Sequence, residues 1–120
     1  MKSRRQDRME ALIQKEISAL IGYELDVFEG FFVTITGVDI SRDFRNVKVL
    51  YSVLGNDEVK KAFIKKLHKH KAQIRFGMGQ RINSRTVPLF KFEYDENVER
   101  AARIENILSE INRKEKDIES

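Results

Sequence analysis

Residues 31–54 read FFVTITGVDISRDFRNVKVLYSVL, and the fold turns on them. Phe31, Val33 and Ile35 alternate against Phe32, Thr34 and Thr36, and the run from Phe31 to Ile40 is dense in β-branched and aromatic side chains. Such side chains suit a pleated, half-buried surface, so this is a strand. Ser41-Arg42-Asp43 makes a turn, in which an aspartate hydrogen-bonds the backbone that follows it. From Arg45 to Leu54 the alternation is cleaner still: Val47, Val49, Tyr51 and Val53 face inward, while Lys48, Leu50 and Ser52 face away. So short a connection makes the pair an antiparallel hairpin.

Upstream, Met9, Leu12, Ile13, Ile17, Leu20 and Ile21 recur at steps of three and four, which gathers them on one stripe of a helix from Ser3 to Ile21. Ser3 with Gln6 can close a capping box, and Gly22 is expected to supply a left-handed stop. Downstream, Gly55-Asn56-Asp57 ends the hairpin and caps a second helix with the buried stripe Val59, Phe63, Ile64 and Leu67. The pattern resumes at Ala72, with Ile74, Phe76, Met78 and Ile82. That predicts a third helix near Lys71 to Asn83, after a bend in His68-Lys69-His70-Lys71. Gly77 and Gly79 each cost that helix about 1 kcal/mol relative to alanine.

Pro88, with no N–H to give a ladder, opens a third strand from Leu89 to Tyr94 that sets Phe90, Phe92 and Tyr94 on one face. Asp95 or Asn97 then caps a last helix to about Arg113, with Val98, Ala101, Ile104, Ile107, Leu108 and Ile111 inward. Residues 114–120 read as a charged, fraying tail. The order is α-β-β-α-α-β-α. Three strands need helices to shield them from water, and the layer solution is an α+β domain with helices on one face of the sheet. Residues 1–113 are expected to form that one domain, in keeping with a chain of 120 residues.

Net charge is +4, but its distribution is uneven. Residues 60–92 carry ten basic side chains and no acid, while residues 93–120 carry five bases and nine acids. Between 59 and 92 an even spread would place about five acids. Such segregation costs self-repulsion, and its usual return is attraction to a polyanion. An ordinary solvated helix is laced by i,i+4 ion pairs, which cannot form here without acids. The expected phosphate contacts are Lys60, Lys61, Lys65, Lys66, Lys69 and Lys71 as point charges, then Arg75, Arg81 and Arg85, whose guanidinium forks can grip phosphate in two places or stack on bases. Arg5 and Arg8, near the start of the first helix, extend the set. Of the aromatic residues, Phe31, Phe32, Phe63, Phe90, Phe92 and Tyr94 sit at periodic positions and read as core. Phe76, beside Arg75, stays open as a stacking platform.

Other chemistries find little footing. There is no cysteine, which excludes disulfides and thiolate-bound metal and fits a reducing compartment. His68 and His70 point about 200° apart on a helix and cannot share an ion. Asp39 and Asp43 are paired carboxylates that could hold Mg²⁺ through a substrate phosphate, which keeps a nuclease as a minor alternative. No nucleophile elbow, phosphate-cradling loop or zinc-protease motif is present. No stretch approaches the roughly 18 apolar residues of a membrane span, and no secretory leader is evident. The expectation is a cytoplasmic monomer without catalysis, cofactor, metal, membrane contact or small-molecule substrate.

Several motifs stand in an order of their own. Arg5-x-x-Arg8 leads into the helix containing Lys15-Glu16-Ile17. The hairpin follows, with Val33-Thr34-Ile35-Thr36-x-Val38, Ile40-Ser41-Arg42-Asp43-Phe44 and Val47 through Gly55. Then come Ile74-Arg75, Arg81-Ile82-x-x-Arg85-x-Val87-Pro88, Phe92 and Asp95. Together, from Arg5 to about Ile111, they resemble the ribosome-binding factor A family, bacterial assembly factors of the small ribosomal subunit. The resemblance implies a KH-like fold of the second type: α-β-β-α-kink-α-β, with a C-terminal helix added here. Such a fold meets its two central helices at an Ala-x-Gly kink and lacks the Gly-x-x-Gly clamp of ordinary KH domains. In this chain the kink falls on His70-Lys71-Ala72, and His70 is expected to hold the helices apart where alanine would let them close. Leu89 stands where family members tend to carry glutamate after the proline. The resemblance further implies binding to free small subunits through 16S rRNA and assistance in late rRNA maturation. A general KH-like RNA-binding module without ribosome specificity is the alternative.

Overall fold

The computed structural model describes residues 1–83, 85–97 and 111. Helix α1 spans Arg4–Ala19. Its head carries the expected capping box: Ser3 Oγ accepts from the Gln6 N–H at 3.2 Å, and the Gln6 side-chain oxygen accepts from the Ser3 N–H at 3.0 Å. Ile13 and Ile17 are buried. The helix does not stop at Gly22 in left-handed geometry. It widens into a π turn over Leu20–Glu24, closed by the Leu25 N–H on the Leu20 carbonyl at 2.9 Å. Leu20 and Ile21, consecutive in sequence, are both buried in this wider turn. Positive φ falls instead at Gly30 and Gly55. A 3₁₀ turn, Asp26–Phe28, buries Phe28 and leads to the sheet.

Strands β1 (Val33–Ile40) and β2 (Asn46–Val53) form the antiparallel hairpin. The register slips by one residue between Ile35 and Gly37. Val33 and Ile35 therefore share the inner face with Val38 and Ile40, although the two pairs are out of phase in sequence. In the hairpin turn Asp43 Oδ1 accepts from Ser41 Oγ at 2.7 Å and from the Arg45 N–H at 3.1 Å. Those donors hold its carboxyl below the ordinary carboxylate range, Ser41 foremost. Phe44 takes φ of 59°, uncommon for a bulky residue. The Arg5 guanidinium lies over its ring, 5.5 Å from the centroid.

The third strand, β3 (Leu89–Tyr94), runs parallel to β2, giving the sheet order β1-β2-β3. A parallel neighbour needs a crossover, and helices α2 (Asp57–Lys69) and α3 (Lys71–Arg81) provide it. Val47 pairs with Phe90, Val49 with Phe92 and Tyr51 with Tyr94, so both strands turn these residues to the helices. Phe63 of α2 is the hub, with ring centroids 5.6 Å from Phe28, 5.4 Å from Phe31 and 5.3 Å from Tyr51. Each such pair is worth about 0.5–1.5 kcal/mol beyond its buried area. Phe32 departs from expectation: its side chain is 73% exposed, because it sits in the outward phase just before β1.

An unpaired strand edge invites other chains, and α1 covers that of β1. Gln6, Glu10 and Gln14, four residues apart on one stripe, each bond the strand's backbone. Gln6 Nε2 donates to the Ile40 carbonyl at 3.2 Å, Glu10 accepts from the Ile40 N–H at 2.8 Å, and Gln14 Nε2 donates to the Ile35 carbonyl at 3.1 Å. Lys2 pairs with Glu10 and Asp39 at the same edge. At the far end Asp95 Oδ1 accepts from the Asn97 N–H at 3.1 Å, as a cap for the expected last helix would. The inward residues predicted for that helix from Val98 to Leu108 lie outside the described residues, as does the tail at 114–120.

Candidate nucleic-acid interface

Helix α2 begins where Asn56 Oδ1 accepts from the Val59 N–H at 3.0 Å. Its acids, Asp57 and Glu58, lie in the first turn and its bases gather toward the last, each complementing the nearer end of the helix dipole. Phe63 and Leu67 face the core. Lys61, Lys65 and Lys69, at steps of four, form an exposed row. His70 is the hinge: its N–H closes α2 on the Lys66 carbonyl and its own carbonyl opens α3 by accepting from Ile74, both at 3.0 Å. With φ −107° and ψ 19°, this one residue makes the bend. Its ring meets Phe28 edge-on at 6.2 Å and its Nδ1 lies 3.2 Å from Gln73 Oε1, so the imidazole is packed into the bend. The break falls on His70 alone; Lys71 and Ala72, which the resemblance places in the kink, already belong to the first turn of α3.

The two glycines of α3 permit close packing. A Cβ at Gly77 would come 3.1 Å from Leu20, and one at Gly79 would come 2.9 Å from Val87. Gly77-Met78-Gly79 thus sits inside a packed helix, with Met78 buried.

The expected phosphate-binding residues divide into two groups. Arg81 pairs with Glu24, lies 3.6 Å from the Glu16 carboxylate and donates to the Glu16 carbonyl at 3.4 Å, which ties α3 to α1 and the π turn. Lys66 donates to the Val27 carbonyl at 2.8 Å and lies 5.6 Å from the Phe31 ring centroid. Arg75 donates to the Val87 carbonyl at 2.9 Å. Lys60 lies over Tyr94, 5.0 Å from the ring centroid, and Arg5 lies over Phe44. By contrast Arg8, Lys61, Lys65, Lys69, Lys71 and Arg85 are exposed and reach no carboxylate among the described residues. Four of these six lie on α2 and at the head of α3.

A groove of about 350 Å³ runs between α2 and β3, with His68, Lys71 and Lys91 among its lining residues above Phe90 and Phe92. Sequence reasoning does not single out Lys91, although it lies in the acid-free stretch; the signal is its position opposite α2, which only the parallel pairing of β3 reveals. Among the described residues no group of three His, Asp or Glu side chains could hold a metal ion. Asp39 turns to Lys2, and Asp43 holds the hairpin turn.

Against models of known families, residues 5–108 match that of ribosome-binding factor A. The chain belongs to the ribosome-binding factor A family. Solved structures carry the same α+β fold of helices on a three-stranded mixed sheet. A Thermotoga maritima candidate ribosome binding factor A, solved in solution by NMR, is 25% identical with a TM-score of 0.62, over 78% of this chain and 89% of that one. The crystal structure of ribosome-binding factor A from Thermus thermophilus is 18% identical with a TM-score of 0.60, over 74% and 94%. A Thermus thermophilus model fitted into a cryo-EM map of a 30S complex is 19% identical with a TM-score of 0.54, over 78% and 93%. No helix among the described residues is long and apolar enough to cross a membrane.

Proposed function

We propose that this protein binds the free, immature small ribosomal subunit through 16S rRNA and assists late maturation of that RNA, by contacts alone. The observation that carries the RNA half is the exposed set Lys61, Lys65, Lys69, Lys71, Arg85 and Arg8, none with a carboxylate partner among the described residues. Unneutralised cations on a rigid helix release counterions when they meet phosphates, each contact adding roughly 0.7–0.9 to the salt slope of log affinity. Lys60, Lys66, Arg75, Arg81 and Arg5 lie around this set and hold the helices, rings and loops that present it. The ribosomal half is supported by the family and by the Thermus thermophilus member fitted into a 30S complex. A factor that favours one RNA conformation over another needs only differential affinity for the two, and no bond need be made or broken. We assign it no catalytic residue or cofactor, and a cytoplasmic site of action as a monomer.

Sedimentation of a cell extract tests the reading. The protein is expected with free small subunits and absent from assembled ribosomes. Even distribution over all RNA-containing fractions would replace it with a general RNA-binding module.

A further inference from the structure

Helix α3 carries one aromatic side chain that the core does not use. Phe76 is 69% exposed, while Ile74 and Met78 beside it are buried. A single exposed apolar residue is ordinary, so its surroundings must decide what it does. Phe76 lines a groove of about 730 Å³ together with Ala72, Gly79, Val87, Arg75 and Arg85. Val87 and the bare backbone of Gly79 approach so closely that a Cβ at Gly79 would sit 2.9 Å from Val87 Cγ2, so methyl groups line the groove without crowding it. The Arg75 guanidinium is fixed by its bond to the Val87 carbonyl, which uses one of its five donors. Arg85 is exposed and reaches no carboxylate among the described residues. No acid occurs in this part of the sequence.

A flat π face that shares its groove with two guanidinium groups, with apolar side chains and no acid among the lining residues, matches a planar ring flanked by anions. We propose that this groove takes one unpaired RNA base stacked on Phe76, with the phosphates on either side of it held by Arg75 and Arg85. This rests on the RNA-binding reading and narrows it. The row Lys61, Lys65 and Lys69 suits backbone charge of any RNA, whereas the Phe76 groove requires a base freed from its pair. The preferred substrate is thus a junction where a duplex opens into a single strand.

The chain has no tryptophan, so Phe76→Trp introduces a lone fluorophore at the groove. Two RNAs are the probes: a blunt duplex, and the same duplex with a short unpaired 3′ extension. The parent is expected to bind the extended RNA about tenfold more tightly, toward the lower end of measured base–aromatic stacking. Phe76→Ala erases that preference and leaves blunt-duplex affinity unchanged. Phe76→Trp keeps the preference, and its fluorescence is quenched by the extended RNA and not by the blunt one. Retention of the preference in Phe76→Ala, or a silent fluorophore, would overturn the stacking site while leaving RNA binding in place. If Phe76→Ala loses subunit co-sedimentation but keeps the preference, the groove takes a protein instead and the proposal is wrong. If the parent binds neither RNA at low salt, the underlying RNA reading fails.

Discussion

Residues 16–41 contain five acids and no base, and residues 59–92 contain ten bases and no acid. The fold treats the two stretches differently. In the first, Glu16 and Glu24 engage Arg81, and Asp39 engages Lys2, so most of the negative charge is tied to structure. In the second, Arg81 and Lys91 reach carboxylates, whereas Lys61, Lys65, Lys69, Lys71 and Arg85 reach none among the described residues. Equal segregation in sequence therefore yields unequal surfaces. One stretch mostly neutralises itself against its neighbours and the other keeps its field for something outside the molecule. Arg81 is the seam where they meet.

Reversing charge on each side in turn gives the largest contrast. Lys61, Lys65 and Lys69 changed together to Glu should weaken RNA binding by at least about two orders of magnitude at 0.1 M salt, since each lost phosphate contact is worth roughly sixfold there. Asp26 and Glu29 changed together to Lys should alter it by less than about threefold, the effect of long-range screened charge. Filter binding of one RNA to both variants decides the matter. Similar and opposite shifts in the two would mean that net charge, and not the lysine row, governs binding.

The seam should answer in different units from the surface. Arg81→Gln removes a half-buried guanidinium from two carboxylates and a carbonyl, and should cost about 1 kcal/mol in urea unfolding. Its salt slope for RNA binding should match the parent's. Lys65→Gln should do the reverse, lowering the slope by about 0.7–0.9 with little loss of stability. An Arg81 variant that unfolds like the parent but binds with a reduced slope would return Arg81 to the interface.

That division among the cations was not legible in the sequence, although much else was. Period alone located the elements, because helical spacing is what brings Ile13, Ile17, Leu20 and Ile21 together in the core, although Leu12 of that stripe and Ile64 of the next stay exposed. Ser3 and Gln6 announced their capping box, and the run through His70 announced the break between α2 and α3. What failed to appear depends on distant partners. The bulge at Thr36-Gly37 reverses the phase of β1, so strict alternation cannot show that Val38 and Ile40 join Ile35. Gly22 looked like a stop, but the burial of both Leu20 and Ile21 carries the helix on as a π turn. Arg75, Lys66 and Arg81 read like any other cation until the Val87 carbonyl, the Val27 carbonyl and Glu24 arrive beside them through folding.

Glu93, the first acid after the basic stretch, offers the smallest effect and the finest control. It lies 3.1 Å from Lys48 across the sheet and 3.5 Å from Lys91 on its own strand. The bond from Lys48 is the chief reason its carboxyl sits below the ordinary value of 4.5. A depressed carboxylate stabilises the fold fully above its unfolded pKa and loses that contribution as pH falls through the folded value. Glu93→Gln should therefore melt slightly below the parent at pH 7, and the two melting curves should converge as pH drops below about 4.5. A difference that persists unchanged to pH 3 would mark the contact as packing and not charge. The same substitution frees Lys91 beside the α2–β3 groove and should tighten RNA binding by no more than about sixfold, the weight of one phosphate contact at 0.1 M salt. Tightening without any change in the acid limb would show that Glu93 restrains the basic surface more than it holds the sheet.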